Sequence, residues 1–377
     1  ILFLMNPDLG YSAANHQERV VVTALQQILK GGHLSWKETR IMGEAILDGD
    51  VKESLKAAVL IGQRMNRETY DEVRGYLDSV FSPDKILEVQ TEALTHFGQP
   101  YDGSTRFFRP TLFVAAVRAA QGRASVLHGV DEMPPKKGIT EEKLLGFLGA
   151  RTDLSLEKAA RLIEDHKIGF SFVSLRSYSP SAYAIRNLRV HIKKRPPWAA
   201  TEKAQQLFFC PGTNSMVIGF YHAGYEASFL RLIQDRGFCA GLVVKGEEGS
   251  SHFSLCLRKP TAKGRKSVNY VKGFRRSGDH IEDFALDVNP KTFGFNYDRS
   301  PRLQSVSVCS FVQAGMAALS GQRGQVYDQI LLNSSMTDYL LGFFPNFDDA
   351  FAHSKDAIDS GRALEHLKAY VDRTKRI

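Results

Sequence analysis

Between Leu34 and Leu77 the apolar residues recur at three- and four-residue intervals: Ile41, Ala45 and Ile46, then Leu55, Ala58, Val59 and Gly62, then Tyr70, Val73 and Leu77. That is the period of helices with one buried face. Ser35-x-x-Glu38 stands just ahead of the first set, with Leu34 at the staple position and Trp36 just inside. Such a box satisfies the free N–H groups at a helix start. The second helix is expected to open at the Gly49 turn or Asp50 and the third at Asn66 or Glu68, and Pro83 closes the region. The pattern predicts a compact helical subdomain.

From about Leu87 the pattern changes. Ala124–His128, Phe170–Leu175, Ser215–Tyr221 and Gly241–Lys245 are short, continuous apolar runs, as expected of parallel strands buried on both faces. Helical patterns lie between them: Thr111–Ala120, a segment from Ile139 that ends at a Gly149 C-cap, a helix to Glu164 with Ser155 as N-cap, and Tyr225–Arg236. Strands alternating with helices predict an α/β sheet. Lys259–Ser277 is polar and basic and reads as exposed strands or a loop; helices return from Cys309. There is no internal repeat and no low-complexity tract.

Composition sets only broad bounds. The chain has 377 residues, 43% hydrophobic and 24% charged, which is ordinary for a globular protein with one large core and a smaller satellite domain. No apolar run is long enough to span a membrane, so a soluble intracellular protein with no membrane partner is expected. Ile1–Met5 is too short for a signal peptide and lacks a basic flank. A chain opening at Ile1 is expected to have lost its true N-terminus and with it any targeting segment, a plastid transit signal included. Cys210, Cys239, Cys256 and Cys309 form no CxxC pair and read as reduced thiols. The net charge of +8 favours acidic partners.

The stretch Phe97–Gly138 carries the most chemistry. An extended segment ends in a Gly98-x-x-x-Asp102-Gly103 turn, a short alanine-rich helix follows, and the next strand ends in His128-Gly129. Strand, glycine turn, helix and strand is the unit that sets a phosphate at a helix N-terminus. Pro100 and Tyr101 close this turn to an anion, because proline has no N–H and tyrosine puts a ring where the backbone must come close. Asp102 meets a phosphate only through a metal or a bridging cation. Gly98, Asp102 and Gly103 are equally what a strand-to-helix turn needs for its backbone shape. His128 reads first as a structural histidine, with a general base as the alternative.

This segment resembles the anthranilate phosphoribosyltransferase family (glycosyltransferase family 3), whose motif there runs Gly-Thr-Gly-Gly-Asp-Gly-Ser. Gly98 matches its start and Asp102, Gly103 and Ser104 its end; Gln99, Pro100 and Tyr101 do not match. The family's Asn-x-Ser-Thr becomes Phe108-Arg109-Pro110-Thr111, and its Lys-His-Gly-Asn-Arg becomes Leu127-His128-Gly129-Val130-Asp131. The paired serines beyond become Pro134 and Pro135, and the acidic metal-binding pair falls on Ser251 and His252. The resemblance extends to the segments at Ile28 and Arg64, to Gly169-Phe-Ser-Phe, Leu188-Arg189 and Arg195, and to the stretches from Leu331 and Ile358. The wording Gln99-Pro100-Tyr101-Asp102-Gly103 and the Glu202-Lys203 pair are similar to a divergent paralogous branch of the same fold, some members of which bind nucleic acid.

The resemblance implies a nucleoside-phosphorylase/phosphoribosyltransferase-like α/β fold. It implies a small all-helical N-terminal domain over 1–86, with a later helical insertion near 150–200, and a larger α/β domain over 87–377 with a mostly parallel central sheet. It implies a homodimer formed through the helical domain. It places the ancestral substrate and phosphate site at Gly98, Asp102, Gly103, Ser104, Thr111, His128, Gly129 and Arg195, with Mg²⁺ as cofactor if phosphoribosyl pyrophosphate (PRPP) is used. A leaving diphosphate must be stabilised by metal, cations and backbone donors. The acidic pair, the lysine, the arginine and the open glycine turn are all missing at the matched places, so a working anthranilate transferase is not expected. No metal site and no catalytic residue is assigned.

Two basic stretches remain. Arg186, Arg189, His191, Lys193, Lys194 and Arg195 lie close to Trp198, while Arg258, Lys259, Lys263, Arg265, Lys266, Lys272, Arg275 and Arg276 are interleaved with Tyr270 and Phe274. Cations neutralise backbone phosphates, and aromatics stack on bases. Arg189, Lys193, Lys194, Arg195, Lys263, Arg265, Lys266, Lys272, Arg275 and Arg276 are therefore candidates for binding nucleic acid or another polyanion. The plainer reading is of solvated faces balanced by Glu202, Glu247, Glu248 and Asp279. The first functional hypothesis is a retired transferase with a polyanion-binding surface. The alternative is a phosphoribosyl transferase using PRPP and an aromatic or base acceptor, with a site rebuilt around Asp102, His128 and Arg195. A third is an assembly subunit without a ligand.

Overall fold

A computed structural model describes residues 15–222, 224–260 and 265–377. The chain divides into two compact units, Ile1–Lys85 with Ser179–Gln205, and Ile86–Tyr178 with Gln206–Ile377.

The first unit is helical: α1 (His16–Leu29), α2 (Trp36–Leu47), α3 (Glu53–Asn66) and α4 (Tyr70–Val80). Ser35 and Glu38 form the expected capping box on α2, and Thr69 with Glu72 forms a second one on α4, one residue beyond the Glu68 start read from sequence. Helices α2 and α4 pack closely enough that a Cβ on Gly75 would lie 2.5 Å from Cβ of Thr39, so only glycine fits there. Residues 179–205 add short turns, α9 (Pro180–Ala184), α10 (Leu188–His191) and α11 (Trp198–Thr201). Trp198 is buried, edge-on to Tyr76 at 5.3 Å, with its indole N–H donating to the Tyr76 carbonyl.

The second unit contains β1 (Leu87–Glu88), β2 (Ala93–Gly98), α5 (Thr111–Ala119), β3 (Ala124–Gly129), α6 (Glu141–Phe147), α7 (Leu156–Glu164), β4 (Phe170–Ser174) and α8 (Leu175–Tyr178). It continues with β5 (Phe208–Phe209), β6 (Thr213–Gly219), α12 (Tyr225–Asp235), β7 (Ala240–Val244), β8 (Tyr270–Ser277), β9 (His280–Asp287) and α13 (Val308–Leu319). Helices α14 (Gln325–Leu341), α15 (Phe347–Asp359) and α16 (Arg362–Thr374) close the chain. A seven-stranded sheet runs in the order β4-β3-β2-β6-β7-β8-β9. Strands β4, β3, β2, β6 and β7 are parallel, β8 and β9 antiparallel. This is the helical-plus-α/β class expected from the sequence. The basic stretch read as exposed strands or loop is partly interior: Val271, Gly273 and Phe274 of β8 are buried against the sheet, so Phe274 offers no ring to a ligand.

The core explains why helix α5 can be apolar on every side: all its residues are buried, Arg118 included. The Arg118 guanidinium is satisfied by Asp338 at 2.7 Å, Ser125 at 2.8 Å and Thr95 at 2.8 Å. A buried charge survives only when paired and bonded in this way. The chain moves from β2 outward through β3 to β4, then returns to place β6 on the other side of β2. Such a reversal opens a crevice beyond the carboxyl ends of the strands, where open α/β sheets hold ligands. Gly98 ends β2 beside Ile218 of β6, and His128 of β3 pairs with Gly98 on the other side.

Candidate functional site

The Asp102–Ser104 turn at this crevice is fixed by backbone. Ser104 and Ile139 exchange N–H···O bonds of 2.9 and 2.8 Å, and Gly138 N–H donates to the Asp102 carbonyl at 2.9 Å. Gly103 has φ +75°, and a Cβ on it would meet the Gly138 carbonyl carbon at 2.6 Å. Gly103 is therefore required by the turn itself, whether or not a ligand binds.

Side chains of the chain itself occupy the space the turn encloses. Buried Tyr101 places its hydroxyl 2.6 Å from Nδ1 of His128 and 2.5 Å from the Tyr178 hydroxyl. Burial pushes His128 down to about 3, so its ring is neutral and its Nε2 has no hydrogen-bond partner among the described residues. Thr111 is hydrogen-bonded to Nε2 of His252, whose pKa burial and then the Arg109 charge hold well below the ordinary histidine value. Asp102 pairs with Lys136 at 3.0 Å. Arg109 donates to Glu141 at 2.6 Å and to the Pro100 and Ile139 carbonyls at 3.3 Å, with both charged side chains nearly fully buried. The cavity left among Pro100, Ser104, Phe107, Glu248, Ser250 and His252 is about 20 Å³, the room of a single water.

The turn after β7 reaches back to this loop through a residue that sequence reading treated only as a balancing charge. The Glu248 carboxylate accepts from the Ser104 hydroxyl at 2.6 Å, the Thr105 hydroxyl at 2.9 Å, and the N–H groups of Thr105 at 3.2 Å, Arg106 at 3.2 Å and Phe107 at 3.4 Å. Burial alone would raise its pKa; the Ser104 bond, the Lys136 charge and the Thr105 bonds outweigh that and hold it below the ordinary carboxylate value. Its neighbour Glu247 pairs with Arg258, yet burial keeps its pKa raised. The signal available in the sequence was the acid pair Glu247-Glu248 between Gly246 and Gly249, just ahead of Ser251 and His252.

The predicted residues separate. Gly98, Asp102, Gly103, Ser104, Thr111, His128 and Gly129 come together in the second unit, whereas Arg195 lies exposed in the first. Among the polyanion candidates, Arg189 is corrected: it is buried and paired with Glu202, which removes its charge from the surface. Arg275 is half-buried and spends its guanidinium on the Leu340 and Tyr339 carbonyls at 3.0 Å each. Lys272 is half-buried, and Lys266 sits 4.4 Å over the Tyr270 ring. Lys193, Lys194, Arg265 and Arg276 are exposed, and Lys263 lies outside the described residues.

A model of the glycosyl transferase family, helical bundle domain, matches residues 22–80. The anthranilate phosphoribosyltransferase of Aquifex aeolicus (strain VF5) is 26% identical over 357 residues, covering 94% of this chain and 98% of that protein. That of Stenotrophomonas maltophilia (strain K279a) is 25% identical, covering 94% and 97%. In three dimensions, the Thermus thermophilus enzyme superposes with a TM-score of 0.73 at 20% identity, covering 93% of this chain and 99% of that one. The Saccharomyces cerevisiae enzyme in complex with PRPP and Mg superposes with a TM-score of 0.76 at 14% identity, covering 96% and 100%. The fold is that of the anthranilate phosphoribosyltransferases.

Within that fold, the place matched to the acidic metal-binding pair does not suit Mg²⁺. Magnesium takes hard oxygen ligands, carboxylates first. Here the Ser251 hydroxyl accepts from the Gln99 amide, and the His252 nitrogen is bonded to Thr111. Among the described residues no group of His, Cys, Asp or Glu is disposed to hold a metal ion. Glu247 and Glu248 stand near but are spent on Arg258 and on the 104–107 loop. No helix among the described residues is long and apolar enough to cross a membrane.

Proposed function

We propose that the protein keeps the anthranilate phosphoribosyltransferase fold without phosphoribosyl transfer at the ancestral place, and that its exposed basic segments bind nucleic acid or another polyanion. The observation that carries the first half is the filled crevice. The Tyr101 hydroxyl bonds there to both His128 and Tyr178, and Thr111 bonds to His252. The second half is supported by exposed Lys193, Lys194 and Arg195 in the helical unit and Arg265 and Arg276 in the other. With no base-reading motif, such binding is directed at the phosphate backbone and weakens steeply with salt. Leu29, Ile41 and Met65 on the helical unit are exposed apolar side chains, which supports the expected homodimer. A dimer doubles each basic segment and adds avidity.

Titration with single- and double-stranded oligonucleotides across a salt series tests this reading; binding insensitive to salt would sink it. Similarity to transferases along nearly the whole chain favours a second reading, a PRPP-using transferase with a site rebuilt around Asp102 and His128. Calorimetric titration with PRPP, with and without Mg²⁺, decides between them. The first reading expects no heat, and micromolar binding lost in Asp102→Ala establishes the second.

A further inference from the structure

We infer that Lys245 is a carbonyl-reactive amine, a site at which a small aldehyde or ketone carrying a carboxylate condenses to an imine. The residue stands just past the carboxyl end of β7, and its backbone is fixed on both sides. Its N–H donates to the Tyr270 carbonyl at 2.7 Å, and its carbonyl accepts from the Asn269 N–H at 2.8 Å. The loop after β6 is tied to the same strand, since the Phe220 N–H donates to the Val244 carbonyl at 3.0 Å. A reactive side chain on such rigid supports meets a ligand at a set place.

The head group is half-buried without a carboxylate. Nζ donates to the Tyr221 carbonyl and stands 4.4 Å from the centre of the Tyr221 ring and 5.4 Å from that of Phe220. Among the described residues it forms no ion pair. Ring faces favour the ammonium form, but less than a bonded carboxylate does. Burial, and after it the Arg265 charge, hold the amine below the ordinary lysine value against the opposing pull of Glu226. Desolvation and a neighbouring cation are what make a lysine nucleophilic near neutral pH. Lys56 shows that burial alone is not enough. It is only 4% exposed, and Glu53, Asp48 and Asp50 draw its pKa back up. Lys245 stays half-open, beside a Tyr221 that is 58% exposed.

The unprotonated Lys245 nitrogen gives its lone pair to the carbonyl carbon. A C–N double bond replaces C=O, and the oxygen leaves as water with the two hydrogens of the amine, so no oxidant or reductant is consumed. The surroundings select the rest of the ligand. Arg265 is exposed, and its charge already acts on Lys245. The Phe220 ring meets Tyr270 edge-on at 6.3 Å, and Lys266 lies 4.4 Å over Tyr270 on its way out to solvent. Two cations beside one amine favour a ligand that brings a negative charge, and the open Tyr221 ring gives it a flat apolar surface.

The site is independent of polyanion binding, so a failure to bind oligonucleotides leaves it standing. The experiment incubates wild type, Lys245→Arg and Arg265→Ala with 4-formylbenzoate and cyanoborohydride, which traps an imine as a secondary amine. Peptide mass spectrometry maps the labelled lysines, and near-UV circular dichroism confirms the fold. Lys245 is expected to be labelled about tenfold or more faster than exposed Lys193 and Lys194, a difference of about 1.4 kcal/mol in barrier. That lead should shrink in Arg265→Ala and vanish in urea, where every lysine is hydrated alike. A folded wild type that labels Lys245 no faster than Lys193 overturns the proposal and leaves Lys245 as a cation set between two rings. Lys245→Arg should lose the fast-labelled peptide and keep the slow ones; if it fails to fold, the wild-type map decides alone. Benzaldehyde lacks the carboxylate and should give Lys245 a smaller lead over Lys193. An equal lead would overturn the assignment to carboxylate-bearing ligands.

Discussion

Arg106 and Arg109 stand three positions apart beside the same turn, and the structure uses them in opposite ways. Arg109 is sealed in, its guanidinium shared among Glu141 and two backbone carbonyls. Arg106 has an exposed side chain and a loose 3.7 Å pair to Glu248. The contrast repeats in the helical unit, where Arg189 is buried on Glu202 while Lys193 and Lys194 face solvent. A cation in a basic stretch is therefore evidence for an anionic partner only once burial is known, since a buried cation has already been matched.

The comparison breaks most sharply on Arg109. Removing one member of a buried pair leaves the other charged and unsolvated, so Arg109→Ala is expected to cost about 3–5 kcal/mol. Arg106→Ala is expected to cost less than about 1 kcal/mol, as exposed pairs do. Urea denaturation of both variants measures the difference; equal losses would refute the division. Tyr101→Phe comes next. It leaves His128 and Tyr178 without their shared partner, at about 1–3 kcal/mol for a buried unsatisfied group. An unchanged midpoint would show that the crevice is not held by that chain of bonds.

Much of the fold was legible because its elements are spelled locally. Ser35-x-x-Glu38, the apolar runs at Val126 and Val243, and Gly149 after α6 each announce an element through neighbours in sequence. The turn at Gly98–Gly103 was legible as a turn, but not what Tyr101 does there. Its partners, His128 and Tyr178, are 27 and 77 positions away, and no local pattern encodes that meeting. Glu248 was hidden for the same reason, lying 144 positions from Ser104. Burial misled too. Arg189 and Arg275 look like neighbours of Lys193 and Arg276 on paper, and only packing separates them.

The pH dependence sharpens the same contrast between sealed and open groups. His96 and His128 are held by burial at about 3, against about 6.5 when unfolded. Below 6.5 the unfolded chain binds protons that the folded chain does not. Stability is therefore full above that value and falls as pH drops toward 3. At pH 5 each of the two contributes a loss of about 2 kcal/mol. His128→Gln should remove one proton's worth of slope from the acid limb of a stability-pH curve. A limb of unchanged steepness would mean that His128 is protonated in the folded state, and the neutral chain with Tyr101 would have to be redrawn.

The smallest effect on stability and the most telling for function belongs to the open end of the comparison. Lys193 and Lys194 are exposed, and their replacement by alanine should change stability by less than about 0.5 kcal/mol each. If these side chains touch phosphates, the same changes should lower the slope of log affinity against log salt by about one for each phosphate no longer neutralised, and weaken all sequences alike. Arg189→Ala should do the reverse. It loses stability through the broken buried pair with Glu202 and, in whatever fraction stays folded, leaves the salt slope as it was. A salt slope that falls with Arg189 but not with Lys193 and Lys194 would invert the assignment of which cations belong to the fold and which to a partner.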